Sequence, residues 1–159
     1  MIFDHLAIQV LHEQVDNTVK WYTDFFSCKK IWQQSTDFEE LTKRRLPGIK
    51  TIVELESNFF RFHIFSRAIV NATVNNYLQY HHIGFSVDKS DKLVELQKKW
   101  QDLRTSNQYG FYKDAYVTEK ITDSIGVESI YFTDVNGLEY EVTYVPEECK
   151  TSRIYPNAQ

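Results

Sequence analysis

Between Ile2 and Val10 the chain alternates: Leu6, Ile8 and Val10 point one way, while His5, Ala7 and Gln9 point the other. Period two marks a strand with two unlike faces. Val15, Val19, Tyr22 and Phe26 then recur at helical spacing, with Asp16 and Asn17 near the start as capping residues. Lys29 to Gln34 predicts a second strand. Asp37 to Arg45 is highly charged and its pattern leaves the element open, and Pro47-Gly48 marks a turn. Ile49 to Glu56 predicts a third strand, Ser57-Asn58 a tight turn, and Phe59 to Ser66 a fourth strand. Residues 1–67 thus form a βαβββ module.

A second module follows in the same order. His82 to Val87 is its first strand, and Ser90 precedes a helix over Lys92 to Leu103 with Leu93, Leu96, Trp100 and Leu103 on the buried stripe. Tyr116 to Ile121 predicts the next strand. Val127 to Thr133 and Leu138 to Tyr144 predict a hairpin across Asp134-Val-Asn-Gly137, where Asn-Gly is a strong turn signal. This module spans 80–146; residues 68–79 link the two, and 147–159 form a polar tail.

The two modules are in register. His5 and His82 lie 77 positions apart, as do Val19 and Leu96, and Phe26 and Leu103. His63 and Glu141 lie 78 apart, within Asn58-Phe-Phe-Arg-Phe-His63-Ile64 and Asn136-Gly-Leu-Glu-Tyr-Glu141-Val142. A repeat of this kind fixes the architecture before any single element does. Alternation then sorts the faces. Leu6/Ile8/Val10, Ile83/Phe85/Val87, Phe60/Phe62/Ile64 and Leu138/Tyr140/Val142 are apolar enough to pack under the helices. The opposite faces carry His5, Ala7, Gln9 and His82, Gly84, Ser86 on the first strands, with Arg61, His63, Phe65 and Glu139, Glu141, Thr143 on the last. With helices covering one side of the sheet, four potential metal ligands, His5, His63, His82 and Glu141, gather on the other. His81 points away from that side and reads as structural, and His12 reads as exposed loop.

Composition narrows the classes. A length of 159 residues suits one structural domain built of two half-sized modules. An apolar content of 42%, with 11 Phe and 10 Tyr, is ample for a core. A net charge of −4 argues against nucleic acid, which selects a basic patch, and against anionic membranes. Two cysteines, Cys28 and Cys149, argue against a disulfide framework and make a reducing compartment the default, with both thiols expected to be inert. The sequence shows neither a signal peptide nor a membrane span, so the expectation is a soluble, cytoplasmic protein.

Phe3-Asp-His-Leu-Ala-Ile-Gln-Val10, Trp21-Tyr-Thr-Asp-Phe-Phe26, His82-Ile-Gly-Phe-Ser-Val87 and Tyr131-Phe-Thr-Asp-Val-Asn-Gly-Leu-Glu-Tyr-Glu141 carry a resemblance to a known family. The chain resembles the vicinal oxygen chelate superfamily, also called the glyoxalase/bleomycin resistance/dioxygenase family. The resemblance implies an α+β fold: two repeated βαβββ modules forming a cup-shaped mixed sheet, helices on its convex side, around a divalent metal. His5, His82 and Glu141 match the family's usual ligands. His63 stands where glyoxalase I-like and epimerase-like members place a fourth ligand, commonly Glu or Gln, so this chain departs from the set with two flanking glutamates. Three imidazoles and one carboxylate suit Fe, Ni, Zn or Mn and disfavour Ca or Mg.

The expected activity is metal-dependent chelation of vicinal oxygens on a small molecule, for isomerase, epimerase or lyase chemistry. Glu141 is the candidate proton shuttle, with Glu139 the nearest carboxylate on the same strand face. Arg61, Gln9 and Ser86 are candidate substrate contacts; Arg61 and Glu139, two residues before His63 and Glu141, alternatively pair as a salt bridge. Tyr109, Phe111, Tyr112 and Tyr116 either line an aromatic pocket or belong to the core, and Lys98-Lys99 is a solvated helix face. Two other functions fit the resemblance: Fe(II)-dependent extradiol ring cleavage, which uses only the His5/His82/Glu141 triad, and metal-free sequestration of a drug-like molecule. The site forms either within one chain or across a homodimer.

Overall fold

The computed structural model describes residues 5–57, 60–67, 82–124 and 126–149, without the side chains of residues 45 and 149. The predicted link over 68–79, His81 and the tail beyond residue 149 lie outside the described residues. The chain divides into two compact units, Met1–Gln79 and Tyr80–Gln159.

In the first unit β1 (His5–Leu11), α1 (Val15–Phe26), β2 (Lys29–Gln34), α2 (Glu40–Arg45), β3 (Ile49–Glu56) and β4 (Arg61–Arg67) follow in order. The sheet runs β1-β4-β3-β2, with β1 parallel to β4 and the other neighbours antiparallel. The second unit repeats it: β5 (Ile83–Val87), α3 (Asp91–Thr105), β6 (Ile121–Thr122), β7 (Glu128–Thr133) and β8 (Glu139–Tyr144) give β5-β8-β7-β6. Both sheets are mixed, and the α+β fold of two βαβββ modules is the one the repeat predicts.

Alternation decides which sheet face each helix covers. Phe62, Ile64, Val53 and Leu55 are fully buried, and Tyr22 of α1 meets Phe62 edge-on at 4.6 Å. Trp21 and Phe25 stack at 4.7 Å on the same helix. Each such aromatic, wholly removed from water, contributes about 2–3 kcal/mol before entropy is counted. In α3 the stripe is Leu93, Gln97 and Trp100, with Leu96 and Leu103 only half-buried. The buried Gln97 is tolerated because its amide donates to the Thr118 carbonyl at 3.0 Å, and the Trp100 indole donates to Thr133 at 2.8 Å.

Three local features depart from the sequence reading. The charged stretch whose pattern left the element open contains α2, and Leu46-Pro-Gly-Ile49 closes behind it as a turn with Gly48 at φ 76°. The strand expected over Tyr116 to Ile121 shrinks to the two residues of β6 plus one bridge between Val117 and Phe132. His12 is exposed as expected but sits in a short 3₁₀ turn, Nδ1 3.2 Å from the Ser66 hydroxyl. The hairpin at 134–137 forms as read. Asp134 is buried, its carboxylate accepts the backbone N–H groups of Asn136 and Leu138 at 2.8 and 2.9 Å, and Gly137 takes φ 88°. Among the described residues no helix is long and apolar enough to cross a membrane.

Candidate functional site

The face of each sheet away from its long helix carries the polar residues, and strand pairing sets their neighbours. In the first unit Ala7 pairs with His63, His63 with Glu54, and Arg61 with both His5 and Glu56. The His5 and His63 rings stack, their centroids 3.8 Å apart at 16°. Glu54 lies 4.0 Å from His63 Nε2 and 3.5 Å from Arg61, and the Arg61 Nε donates to Glu56 at 3.0 Å. Arg61 is thus engaged by two carboxylates of its own unit.

In the second unit the pair is tighter. His82 Nε2 is 3.1 Å from Glu141 Oε2, and its Nδ1 is 3.7 Å from Glu139. The other Glu141 oxygen accepts the Tyr131 hydroxyl at 2.8 Å and the Ser129 hydroxyl at 3.1 Å. Burial works to raise the Glu141 pKa, but the hydroxyls of Tyr131, Ser129 and Thr143 and the neighbouring His82 together hold it below the usual carboxylate range. Glu139 accepts a short hydrogen bond from Tyr116, whose own phenol is pushed up to about 12 by burial and by that carboxylate.

Gln9 and Ser86 are exposed. Of the four aromatics, Tyr109 is buried and Phe111 packs on Trp100 at 5.3 Å, which makes both core. Tyr112 lies under the Gly137 turn and Tyr116 serves Glu139. Cys28 is buried and its thiol is pushed up to about 12 by loss of solvent, as an inert cysteine requires.

Sequence reasoning missed Glu54, Tyr131 and Ser129. The signal was present: hairpin register places Glu54 beside His63 and Tyr131 beside Glu141, and those two residues are themselves 77 positions apart. It also missed Thr42 and Leu46. These close over β1, β3 and β4 to form, with His5, Ala7, Ile52 and Phe65, a cavity of about 500 Å³.

The donors fit a transition metal in type. Among the described residues, however, no group of three or more His, Cys, Asp or Glu side chains is arranged to hold an ion; each unit presents a pair. Two ligands about 2.1 Å from an ion and at a right angle to each other lie about 3.0 Å apart. The His82–Glu141 separation of 3.1 Å meets that spacing.

No protein-family model matches the sequence, and no curated protein matches it either. Solved structures do. A glyoxylase/bleomycin resistance protein/dioxygenase domain from Frankia sp. EAN1pec superposes with a TM-score of 0.63 at 14% identity, over 92% of this chain and 98% of that one. A lactoylglutathione lyase from Agrobacterium tumefaciens gives 0.56 at 17% identity, over 90% and 92%. A variant of the fosfomycin resistance protein FosX from Listeria monocytogenes, complexed with Mn(II) and 1S,2S-dihydroxypropylphosphonic acid, gives 0.61 at 14% identity, over 95% and 99%. The chain has the fold of the glyoxalase/bleomycin resistance/dioxygenase, or vicinal oxygen chelate, proteins.

Proposed function

We propose that this protein is a divalent-metal-dependent enzyme acting on a small oxygenated molecule by isomerase, epimerase or lyase chemistry. Its ligands are His5, His63, His82 and Glu141, and its ion is Fe, Ni, Zn or Mn. The observation that carries this reading is the His82–Glu141 pair, spaced for adjacent coordination positions, with the carboxylate held ionised by two hydroxyls. Mn(II) in the FosX structure supports the choice of a divalent ion. The bound ion supplies Lewis acidity towards two neighbouring substrate oxygens.

The rest falls to the chain's own groups. Tyr131 and Ser129 fix one Glu141 oxygen and leave the other facing His82. Glu139 steadies the far nitrogen of His82 and is itself anchored by Tyr116, so it positions a ligand instead of moving a substrate proton. Arg61 is held by Glu54 and Glu56 and presents a fixed charge near His5.

Elemental analysis and thermal unfolding with added Fe, Ni, Zn or Mn test the reading. About one ion per chain is expected, with stabilisation near 2.7 kcal/mol when the free ion is about a hundred times its Kd. Absence of bound metal together with an unchanged melting temperature refutes it. Ligand binding that persists unchanged in the His5→Ala/His82→Ala protein favours sequestration instead, a reading that the cavity beneath α2 by itself also allows.

A further inference from the structure

We infer that Arg67 is an anion-binding residue, and that a phosphate or carboxylate group docks on it at the far end of the first unit's polar sheet face. The inference goes beyond the metal reading and does not depend on it.

On β4, Arg61, His63, Phe65 and Arg67 share one face, alternating with the buried Phe62, Ile64 and Ser66. Two arginines thus end the same strand face, about 20 Å apart at the usual rise of a strand. Their surroundings differ. Arg61 is engaged by Glu54 and Glu56. Arg67 pairs in the sheet with Leu11 and Ile49, and neither brings a charge. It is half-buried, its Nε is closed off from solvent, and that nitrogen has no hydrogen-bond partner among the described residues. Nor does its guanidinium form an ion pair among them. Glu13, in the turn after β1, is exposed and makes no ion pair with it. Of the residues outside the described ones only Asp4 has an acidic side chain, and it precedes the end of β1 that pairs with Arg61.

An exposed lysine without a partner is ordinary, because water solvates it. A half-buried guanidinium is not, since a donor withdrawn from water and left unmet costs free energy that a bound acceptor returns. The planar fork of arginine matches the oxygens of a carboxylate or phosphate. An aromatic ring stacked on the guanidinium would leave the Nε–H, which lies in its plane, still unmet. Lys50, exposed next to Ile49, adds positive potential at the same end. Arg67 lies about 13 Å along the strand from His63, well beyond the reach of one ion's ligands. The anion site is therefore separate from the proposed metal ligands, and its occupant is either a free oxyanion or the anionic end of a larger molecule.

The full-length chain in chelator, which removes any ion that would itself hold phosphate, is titrated at constant ionic strength with inorganic phosphate, phenyl phosphate, benzoate and the neutral benzamide. Heteronuclear NMR of arginine side chains reads the Arg67 Nε–H directly. Anions should move that resonance, while benzamide and added chloride leave it in place. A response to inorganic phosphate supports a free oxyanion as the occupant; one confined to phenyl phosphate and benzoate supports the anionic end of a larger molecule. At about ten times its Kd the active anion should raise the melting temperature by about 3–6 °C. Arg67→Met should erase both effects without lowering the melting temperature of the anion-free protein, because it removes an unpaired charge and keeps the side chain's length. Arg67→Lys keeps the charge without the fork and should bind about tenfold more weakly. No movement of the Nε–H with any anion, equal movement with benzamide or chloride, or a thermal response that survives Arg67→Met overturns the inference. A lowered melting temperature of anion-free Arg67→Met assigns Arg67 to the packing of the sheet and overturns it too.

Discussion

Glu141→Gln isolates charge from shape at the centre of the proposed ligand set. The substituted amide keeps one carbonyl oxygen for Tyr131 and Ser129, which donate to Glu141 at 2.8 and 3.1 Å. Its NH₂ can face a neutral His82 imidazole across the present 3.1 Å. What disappears is the charge assistance of two hydrogen bonds, worth about 1 kcal/mol each when a charged acceptor is compared with a neutral one. The metal-free protein should lose about 1–2 kcal/mol at pH 7, or roughly 2–8 °C in melting temperature for a chain of this size. Because folding depresses the Glu141 pKa, its contribution is present above the unfolded value and is lost as pH falls through the folded one. Wild-type stability should therefore decline below about pH 4.3, and the variant should lack that part of the decline. Metal affinity should fall much further, by about a hundredfold or more, since an amide oxygen replaces an anionic ligand. Thermal unfolding in chelator from pH 3.5 to 8, with competition titration for zinc, measures both. A variant with unchanged stability, unchanged pH dependence and unchanged metal affinity would refute the assignment of Glu141.

Other perturbations have different physical bases. Trp100→Phe leaves the Thr133 carbonyl without its indole donor, whereas the Trp21 indole nitrogen is buried with no hydrogen-bond partner among the described residues; chemical denaturation should show Trp100→Phe costing about 1 kcal/mol more than Trp21→Phe. Gly137→Ala forces a Cβ onto a φ of 88° and within 3.0 Å of the Tyr112 ring, and should destabilise by about 1–3 kcal/mol. Gly84→Ala meets nothing within 4 Å and should be neutral by the same melting assay, in contrast to Gly137→Ala. In a Cys149→Ser background, Cys28 should resist alkylation at pH 8 until the chain unfolds, because its thiol is raised to about 12; rapid labelling of the native state would contradict its burial.

Strands and long helices were legible in the chain because each buries a face, and burial writes its period into the sequence. Lys29–Gln34 and Ile49–Glu56 match the predicted strands at both ends. α2 left no such trace: Leu41 is 64% exposed, so its one apolar residue within the helix points to water. Thr42 and Leu46, which line the cavity over the sheet, are too few to set a period. Gln97 in a buried stripe was equally hidden, since its acceptor at Thr118 comes from a distant loop. The candidate ligands were visible through duplication, but their partners required knowledge of which strands pair.

That pairing also shows how the two halves of the repeat have diverged. Equivalent positions in hydrogen-bonded register carry Glu54 beside His63 in one unit and Tyr131 beside Glu141 in the other. Next to them stand Glu56 beside Arg61, and Thr133 beside Glu139. In the first unit the carboxylates lie on β3 and the basic side chains on β4. In the second the carboxylates lie on β8 and hydroxyls on β7. Two opposite wirings follow from one backbone plan. The second unit offers an anionic donor whose ionisation is secured by hydroxyls, the chemistry that attracts a cation. The first offers stacked imidazoles, two carboxylates paired with Arg61, and the cavity beneath α2. Exchanging β3 residues for their β7 counterparts, Glu54→Tyr with Glu56→Thr, should release Arg61 from both of its carboxylate partners.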